Sequence, residues 1–301
     1  MNNQNNQNKQ LYLGVDGGGS KCRAIIYDAE SGVLAEALSG PANYLRGGDK
    51  AIAHILEATD IALAQLSLGP ETKSELIAGI GLAGLNLNSC MTDIQTWQHP
   101  FKQAYFASDL EVACCGAHSG KDGIVIIAGT GSSAVASIDG KPVTLGGHGF
   151  PVGDLGSGAW LGLRAIEITL QVMDNLLASS PMTDAIVKIY SVDDAVDLAQ
   201  IVSQFQPSDY AKLSPTVIEF AKTKDKYAVE IVEAGAEYLS KVALELEQNK
   251  NLPLALIGGL APIIAEFFEP KVQAMIKPAD NPPEVGAVLF AMQQQQLNTS
   301  D

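Results

Sequence analysis

One local pattern occurs twice in this 301-residue chain and restricts what the chain can fold into. Residues 11–15 are apolar, residues 16–21 read DGGGSK, and residues 22–27 are again mostly apolar. The same order returns between residues 123 and 143, where GTGS separates two apolar segments. Glycine weakens a strand interior, so each glycine group is predicted to be a hairpin turn that another group approaches closely. The repeat predicts two related halves whose hairpin loops face one another across a cleft.

Length and composition predict a globular protein with two domains. The chain has 301 residues, which is longer than a domain built on a single hydrophobic core usually is, and 47% of its residues are hydrophobic. Its formal net charge of -15 argues against nucleic acid or an anionic membrane as a partner, because either would need a basic face. A nucleotide is not excluded, since Mg²⁺ and backbone N–H groups can neutralise its phosphates.

The first ten residues and the cysteines bear on where the protein works. Residues 1–10 form a polar Asn/Gln tract without the apolar segment of a signal peptide, and we expect a disordered tail there. The four cysteines, Cys22, Cys90, Cys114 and Cys115, show neither Cys-x-x-Cys spacing nor the density of a secreted scaffold. The apolar runs elsewhere are too short to span a membrane. These features predict a cytoplasmic protein.

The rest of the pattern predicts an α/β fold. Short apolar runs, typical of buried strands, alternate with longer segments of helical spacing. We predict further strands at 33–38, 76–82, 104–107 and 254–257, and helices at 50–66, up to 118, from about 157, through most of 180–247, and at about 283–296. The predicted domains are an N-terminal lobe at 11–118 and a C-terminal lobe at 119–301. The final helix is a candidate to pack back on the N-terminal lobe.

The two glycine loops are candidate phosphate-binding sites. A hairpin tip without Cβ atoms exposes N–H groups, and Ser20, Lys21, Thr130 and Ser132 add hydroxyls and a positive charge. The first loop is neither a P-loop nor a dinucleotide-binding fingerprint, because a strand rather than a helix follows its glycines. Each loop alone is also explained by a plain hairpin turn. Their recurrence in matching halves favours phosphate binding.

Other residues are candidates for contacts with substrates. Asp109 stands where a strand gives way to a helix, so it either caps that helix or acts as a general base toward an attacking hydroxyl. Asn43 either binds a polyol or is a turn residue. Asp154 either positions Mg²⁺ or a sugar hydroxyl, or caps the following helix. His148 is predicted to be a polar loop residue, and Gly258-Gly259 either admits a flat ring such as adenine or forms a plain turn.

Five segments, in this order, resemble the BadF/BadG/BcrA/BcrD-type ATPase family. They are GVDGGGSK at 14–21, SDLEVACCGAH at 108–118, IIAGTGSS at 126–133, VGDLGSGAWLGLRA at 152–165 and LIGGLAP at 256–262. Within that family the chain is most similar to the amino-sugar kinases that act on N-acetylglucosamine or glucosamine. The likeness extends from residue 11 to about residue 292. It implies the actin/hexokinase fold, two ribonuclease-H-like lobes around a nucleotide cleft, which accounts for the duplicated hairpin.

The resemblance also implies a role for each candidate residue. Asp109 would be the catalytic base, Asn43, Asp109 and Asp154 would contact the sugar, and Asp16 would hold Mg²⁺ through water. The implied ATP-binding residues are Gly17, Gly18, Gly19, Ser20, Lys21, Gly129, Thr130, Gly131, Ser132, Gly258 and Gly259. Many relatives carry Thr where this chain has Ser20, which keeps the hydroxyl.

The function implied by the resemblance is Mg²⁺-dependent transfer of phosphate from ATP to the 6-hydroxyl of an amino sugar. N-acetylglucosamine is the first expectation and glucosamine the alternative. The competing class is a nucleotide switch or ATPase read by a protein partner, which would not need the sugar-contacting residues. The iron–sulfur activators of the family are excluded, because adjacent Cys114 and Cys115 on a helix point in different directions. Base rates favour a homodimer.

Overall fold

The computed structural model of the protein describes residues 10–300. Residues 1–9 of the predicted tail lie outside this range. Gln10 is described and is held in place: its side-chain amide donates to the carbonyl of Glu75 at 2.9 Å, and Lys102 Nζ donates to its amide oxygen at 2.8 Å. The prediction of disorder is therefore wrong for this residue.

The described strands form two sheets that repeat one arrangement. The first sheet has the order β3-β2-β1-β4-β5 and the second has the order β8-β7-β6-β9. In each, the hairpin strand that follows the first strand lies on one side of it, and a later parallel strand lies on the other. The strands are β1 (Leu11–Gly17), β2 (Cys22–Asp28), β3 (Gly32–Ser39), β4 (Ile77–Leu82), β5 (Gln103–Ser108), β6 (Gly123–Ala128), β7 (Ser132–Ile138), β8 (Lys141–Gly146) and β9 (Leu254–Ile257). The predicted α/β class and the internal duplication are confirmed.

Helices connect and cover the strands. They are α1 (Gly48–Gln65), α2 (Asn88–Ile94), α3 (Asp109–Ala117), α4 (Gly158–Met173), α5 (Pro181–Tyr190), α6 (Ala195–Val202), α7 (Pro207–Ala211), α8 (Ser214–Lys222), α9 (Lys226–Glu247), α10 (Ala261–Ile264), α11 (Pro270–Met275) and α12 (Pro283–Ser300). Short 3-10 turns occupy Tyr44–Arg46, Pro70–Glu75 and Ala265–Phe267. The helices predicted at 50–66, from about 157 and at about 283–296 correspond to α1, α4 and α12.

Contacts divide the chain into two compact units that are not continuous in sequence. The first unit takes the chain up to Gly123, Ser137–Pro142 and the chain from Pro278 onward, and the second takes Ile124–Ala136 and Val143–Lys277. The first unit thus includes β1–β5 and the final helix α12. The hairpin turn Asp139-Gly140 also belongs to it, with both residues at positive φ and their amides donating to the Asp122 carboxylate.

Helix α12 covers the first sheet because glycines let its backbone come close. A Cβ on Gly14 or Gly79 would collide with a carbonyl oxygen of the helix, that of Glu284 or Ala287 respectively. Val285 and Val288 of the helix then pack against Ile25 of β2 in a small buried cluster. On the opposite face, α1 buries apolar residues in the larger cluster that includes Leu13, Val15 and Ile26 of the sheet. The first sheet therefore has apolar layers on both faces.

In the second unit, long helices form much of the core. Helix α4 packs against α7 and α9, and α8 packs against α9. At the contact between α4 and α7, a Cβ on Gly162 would collide with the carbonyl of Tyr210, so only glycine allows this approach. Among the described residues, no helix is both long enough and apolar enough to cross a membrane.

Candidate functional site

Three neighbouring strands of the first sheet end at the same edge. β1, β4 and β5 run parallel, with Gly17 opposite Leu82 and Leu82 opposite Ser108. Adjacent strands lie about 4.8 Å apart, so the segments that follow them lie side by side. Ligands of α/β sheets bind at this carboxyl edge. Asp16 and Asp109 are both placed there.

Asp109 is not the cap of helix α3. The N-cap is Ser108, whose hydroxyl accepts from the Glu111 amide at 3.2 Å while Glu111 Oε2 accepts from the Ser108 amide at 2.8 Å. This reciprocal capping box corrects the capping alternative considered for Asp109. Asp109 is the first helical residue and is only partly buried. Its carboxylate is therefore not needed to start the helix.

The environment of Asp109 makes it a stronger base than an ordinary aspartate. Burial raises the pKa of Asp109, and the charge of Glu111 raises it further, while hydrogen bonds from backbone N–H groups oppose the shift. One of these bonds is from the Leu110 amide, at 3.0 Å from Oδ1. A general base whose pKa is moved toward the working pH accepts a proton more readily.

Asp16 lies in a cluster of carboxylates with one arginine. Burial, then the charges of Asp109 and Glu284, raise the pKa of Asp16 to about 6, against the opposing charges of Arg23 and Lys21. Arg23 stands opposite Asp16 in the β1–β2 hairpin, and its Nη1 is 3.1 Å from Oε1 of the nearly buried Glu284. The edge therefore carries more negative than positive charge.

This charge excess suits a hard divalent cation. No cluster of three or more His, Cys, Asp or Glu side chains able to hold a metal occurs within residues 10–300. Mg²⁺ is usually bound by one or two carboxylates together with waters and substrate phosphates, so a complete protein cage is not expected. The single carboxylate of Asp16, with like charges around it, fits that mode.

Backbone hydrogen bonds bring Asn43 to the same edge. The Ala42 amide donates to Gly18 O at 2.9 Å, and the Tyr44 amide donates to Ala83 O at 2.9 Å. Asn43 lies between these bonds and is half-buried. Its Oδ1 accepts from the Arg46 amide at 3.2 Å and caps the short turn that follows. Asn43 is thus a turn residue, and it lies beside the first glycine loop, which follows Asp16, and beside the segment that follows β4.

Glycine in the first loop is required by packing at one position and leaves open space at two others. A Cβ on Gly17 would collide with Leu82 and crowd Ala42, so this glycine is required by packing. A Cβ on Gly18 would touch only Lys21 O, at 3.8 Å, and one on Gly19 would meet nothing within 4 Å. The Gly18 amide already donates to Lys21 O at 2.9 Å. The candidate phosphate donors are therefore the amides of the exposed Gly19, Ser20 and Lys21.

The second loop, in the other unit, is bonded to the start of helix α4. Gly129 O accepts from the Gly158 amide at 2.8 Å, and Thr130 O accepts from the Ala159 amide at 3.1 Å. The hydroxyl of buried Ser132 donates to Leu155 O at 2.8 Å, so its proton is used within the fold. A Cβ on Gly129 would meet nothing within 4 Å. The loop presents open space at Gly129 and an exposed Thr130.

Asp154 lies next to this second loop and does not cap α4. Ser157 is the cap, with its hydroxyl accepting from the Trp160 amide at 3.1 Å, which corrects the capping alternative for Asp154. Asp154 Oδ1 accepts from the Gly149 amide at 3.0 Å, and Oδ2 would be 2.7 Å from a Cβ on Gly131. Burial raises the pKa of Asp154, with the Gly149 bond and the charge of His148 opposing. His148 itself is an exposed loop residue.

The glycine pair after β9 also divides into two roles. Gly258 has φ +110°, and a Cβ there would collide with the backbone of Ala128 at the end of β6. The Leu260 amide completes this contact by donating to Ala128 O at 3.0 Å. Gly259 is exposed, and a Cβ there would meet nothing within 4 Å. Gly258 is required by the turn, and Gly259 leaves room for a ligand.

Sequence reasoning missed Ser108, Arg23 and Glu284. The Ser108-x-x-Glu111 spacing is the signature of a capping box and could have assigned the cap correctly. Arg23 and Glu284 are 261 positions apart, and no local pattern indicates that they pair.

Comparisons with known proteins show one family by sequence and a wider set of proteins that share the fold. The BadF/BadG/BcrA/BcrD ATPase family matches residues 13–291. The glucosamine kinase of Vibrio cholerae is 32% identical over 93% of this chain and 95% of its own length. A crystal structure from Chromobacterium violaceum, provisionally identified as an N-acetylglucosamine kinase, is 29% identical with a TM-score of 0.83, covering 94% of this chain and 99% of that one. A ROK hexokinase from Thermus thermophilus shares the fold, with a TM-score of 0.53 at 14% identity over 95% and 99% of the two chains.

Proposed function

Because the chain belongs to the BadF/BadG/BcrA/BcrD ATPase family, we propose that it is a kinase that transfers phosphate from ATP to the 6-hydroxyl of an amino sugar. The observation that carries this proposal is the placement of Asp109. It is a partly buried carboxylate with a raised pKa at the carboxyl edge of a sheet, and the fold does not use it as a cap. The fold predicted from the sequence, the duplicated actin/hexokinase fold, is confirmed by the solved relatives.

Asp109 is the proposed general base. Its ionised carboxylate orients the 6-hydroxyl and accepts its proton as the oxygen attacks the γ-phosphorus. The new O6–P bond forms as the bond from the γ-phosphorus to the bridging oxygen breaks, and ADP leaves with the electron pair of that bond. Positioning and electrostatic stabilisation supply most of the rate in phosphoryl transfer.

The glycine loops are the proposed phosphate contacts. Gly18, Gly19 and Gly129 have open space where a Cβ would otherwise stand, as a backbone that contacts phosphate requires. Lys21 adds a positive charge and Ser20 and Thr130 add hydroxyls, all exposed. Gly259 is the proposed contact for the adenosine. Gly17, Gly131 and Gly258 support these segments through their backbones, and Ser132 does so through the bond from its hydroxyl to Leu155 O.

Asp16 is the proposed Mg²⁺ residue, acting through a bound water. Mg²⁺ held there would neutralise negative charge that develops on the transferred phosphoryl group. Within this chain, Asp16 supplies the carboxylate, and Arg23 limits the repulsion from Glu284 by pairing with it at 3.1 Å.

Asn43 and Asp154 are the proposed further sugar contacts. Which amino sugar is used differs between the relatives, one of which is a glucosamine kinase and one provisionally an N-acetylglucosamine kinase. We propose N-acetylglucosamine as the substrate. Glucosamine is the second candidate, since the glucosamine kinase is the more identical of these two relatives. The four cysteines are free, in keeping with a reducing cytoplasm as the site of the reaction.

The test is ADP formation with a panel of acceptors. Purified protein is incubated with Mg-ATP and with N-acetylglucosamine, glucosamine, glucose or no sugar. We expect ADP only when an amino sugar is present, and a product whose NMR spectrum places the phosphate on O6. ADP formation that ignores the sugar would instead support the competing ATPase or switch. A side-by-side kcat/KM then ranks the two amino sugars.

A further inference from the structure

Two exposed leucines lie in segments at the edge of the first sheet that carries Asp109. Leu45 is 60% exposed and Leu87 is 40% exposed, although both belong to loops at the carboxyl edge of the sheet. Scattered exposed leucines are normal on protein surfaces. These two are not scattered, because hydrogen bonds join their loops. We refer to Leu45 and Leu87 as the leucine pair.

Backbone contacts place both leucines beside Ala83 and Gly84. The Tyr44 amide donates to Ala83 O at 2.9 Å, and Leu45 is the next residue. A Cβ on Gly84 would lie 2.8 Å from the Leu45 nitrogen and 2.9 Å from its Cβ. From the other side, the Leu87 amide donates to Gly84 O at 3.2 Å. Gly84 has φ +96°, which favours glycine in this tight turn.

Tyr44 fixes the direction of the turn that carries Leu45. Its side chain is buried, and its phenol donates to Asp93 Oδ2 at 2.8 Å. Burial and this bond to Asp93 raise the pKa of Tyr44 to about 12. Tyr44 therefore anchors the turn inward, while Leu45 beside it remains on the surface.

The leucine pair lies one strand away from Asp109. Leu82 is opposite Ser108 in the sheet, and Ala83 and Asp109 are the residues that follow this pair on adjacent segments. With the 6-hydroxyl of a pyranose at Asp109, the opposite edge of the ring, which carries C2, extends about the width of the ring away. The segment of Ala83 and Gly84, with Leu45 and Leu87 beside it, is the next segment along this edge from Asp109.

We propose that the leucine pair contacts the substituent on C2 and makes the enzyme prefer a 2-acylamino sugar to the free 2-amino sugar. This inference rests on the proposed kinase function. An acyl methyl group gains apolar contact with leucine, whereas the ammonium of a 2-amino sugar loses hydration there. The carboxylates of Asp16, Asp109 and Glu284 act in the opposite sense, because they attract a cation. The preference therefore depends on whether apolar contact with the leucine pair outweighs the attraction of the carboxylates for an ammonium group.

The test compares kcat/KM for N-acetylglucosamine and glucosamine in matched variants. We expect the intact protein to prefer N-acetylglucosamine. Leu45→Ala and Leu87→Ala should each lower kcat/KM for N-acetylglucosamine about fourfold, the value of roughly one buried methylene, through KM rather than kcat. Glucosamine turnover and the KM for ATP should stay unchanged. Leu45→Met, which keeps an apolar side chain of similar size, should retain most of the kcat/KM for N-acetylglucosamine that Leu45→Ala loses.

Leu176→Ala is the matched control, because Leu176 is a leucine that is 72% exposed in the second unit. This variant should leave kcat/KM unchanged for both sugars. A preference of the intact protein for glucosamine, or equal losses on both sugars in Leu45→Ala and Leu87→Ala, would overturn the inference while leaving the kinase proposal in place. Absence of turnover with both amino sugars in the intact protein would instead refute the kinase proposal.

Discussion

The two sheets begin with the same hairpin, but the segments at their carboxyl edges carry different chemistry. In the first unit Asp16 lies at the end of β1, Asp109 follows β5, and Glu284 adds a third carboxylate. In the second unit β6 and β9 lead into Gly129-Thr130 and Gly258-Gly259. The first copy of the duplicated scaffold therefore combines its glycine loop with clustered carboxylates, whereas the second combines its glycine loop with a second glycine pair and Asp154.

The two hairpin loops also differ in how firmly they are held. The first loop is tied at its base by the bonds from the Gly18 amide to Lys21 O and from the Ala42 amide to Gly18 O, and its tip is exposed. The second is bonded at Gly129 and Thr130 to the first residues of α4, and Ser132 is fixed to Leu155. A duplicated element can thus keep its strand pairing while its loop acquires a different role, because the loop contacts are made by sequence outside the repeat.

The largest effect is expected from removing the base in the first unit. Asp109→Asn keeps the size of the side chain but cannot accept the proton, so kcat should fall about 10²- to 10⁴-fold. ATP affinity by calorimetry and the melting temperature should be nearly unchanged. Turnover close to that of the unaltered enzyme would remove Asp109 from the mechanism.

Asp154→Asn is the corresponding change in the second unit. Asp154 is proposed to contact the sugar rather than to accept its proton, so the variant should raise KM for the sugar more than it lowers kcat. A loss of kcat as severe as in Asp109→Asn would mean that Asp154 takes part in the proton transfer, contrary to the role proposed for it.

The next effect concerns stability and the helix that covers only the first sheet. Gly79→Ala places a Cβ against the Ala287 carbonyl of α12 and should lower the free energy of unfolding by about 1–3 kcal/mol, as overpacking does. Denaturant unfolding measures this change. Gly259→Ala is the matched control, since its Cβ meets nothing within 4 Å, and it should unfold like the unaltered protein.

A smaller effect separates the two loops. Gly129→Val should weaken ATP binding about tenfold, which is about 1.4 kcal/mol. The valine side chain would occupy space proposed for phosphate, and the loop is bonded to α4 and cannot shift to make room. Gly18→Val should weaken ATP binding less, because the tip of the first loop is freer to adjust. Isothermal calorimetry with ATP gives both values. Unchanged affinity in both variants would count against phosphate binding by these loops.

The smallest effect is a shift in pH dependence. Asp109 must be ionised to act as a base, so kcat/KM falls as the pH drops through its pKa. Glu111 raises that pKa, and Glu111→Gln removes the charge while Gln can keep the capping box. The acidic limb of the pH profile should therefore move to lower pH, by less than about one unit. Glu219→Gln, an exposed site in the second unit, should leave the limb where it was.

Much of the fold was predictable because its signals are local. The β1–β2 hairpin, α1 and β9 follow from runs of apolar residues with the period of a strand or helix. Helix α2 was missed, since Leu87 at its N-cap makes no side-chain capping bond and gives no start signal. At Asp109 the local signal was misleading, because Ser108 and Asp109 are both good N-cap residues and only the backbone geometry distinguishes them.

By itself, the sequence determined the duplicated hairpins, the α/β class and the segments that resemble an ATPase family, because these depend on residues near one another in the chain. Tertiary structure alone decided that Glu284 joins Asp16 and Arg23, and that Leu45 and Leu87 share one edge. Burial and Coulomb interactions depend on distance in space, and 261 positions of chain separate Arg23 from Glu284. The pKa of Asp16 is therefore a property of the folded unit.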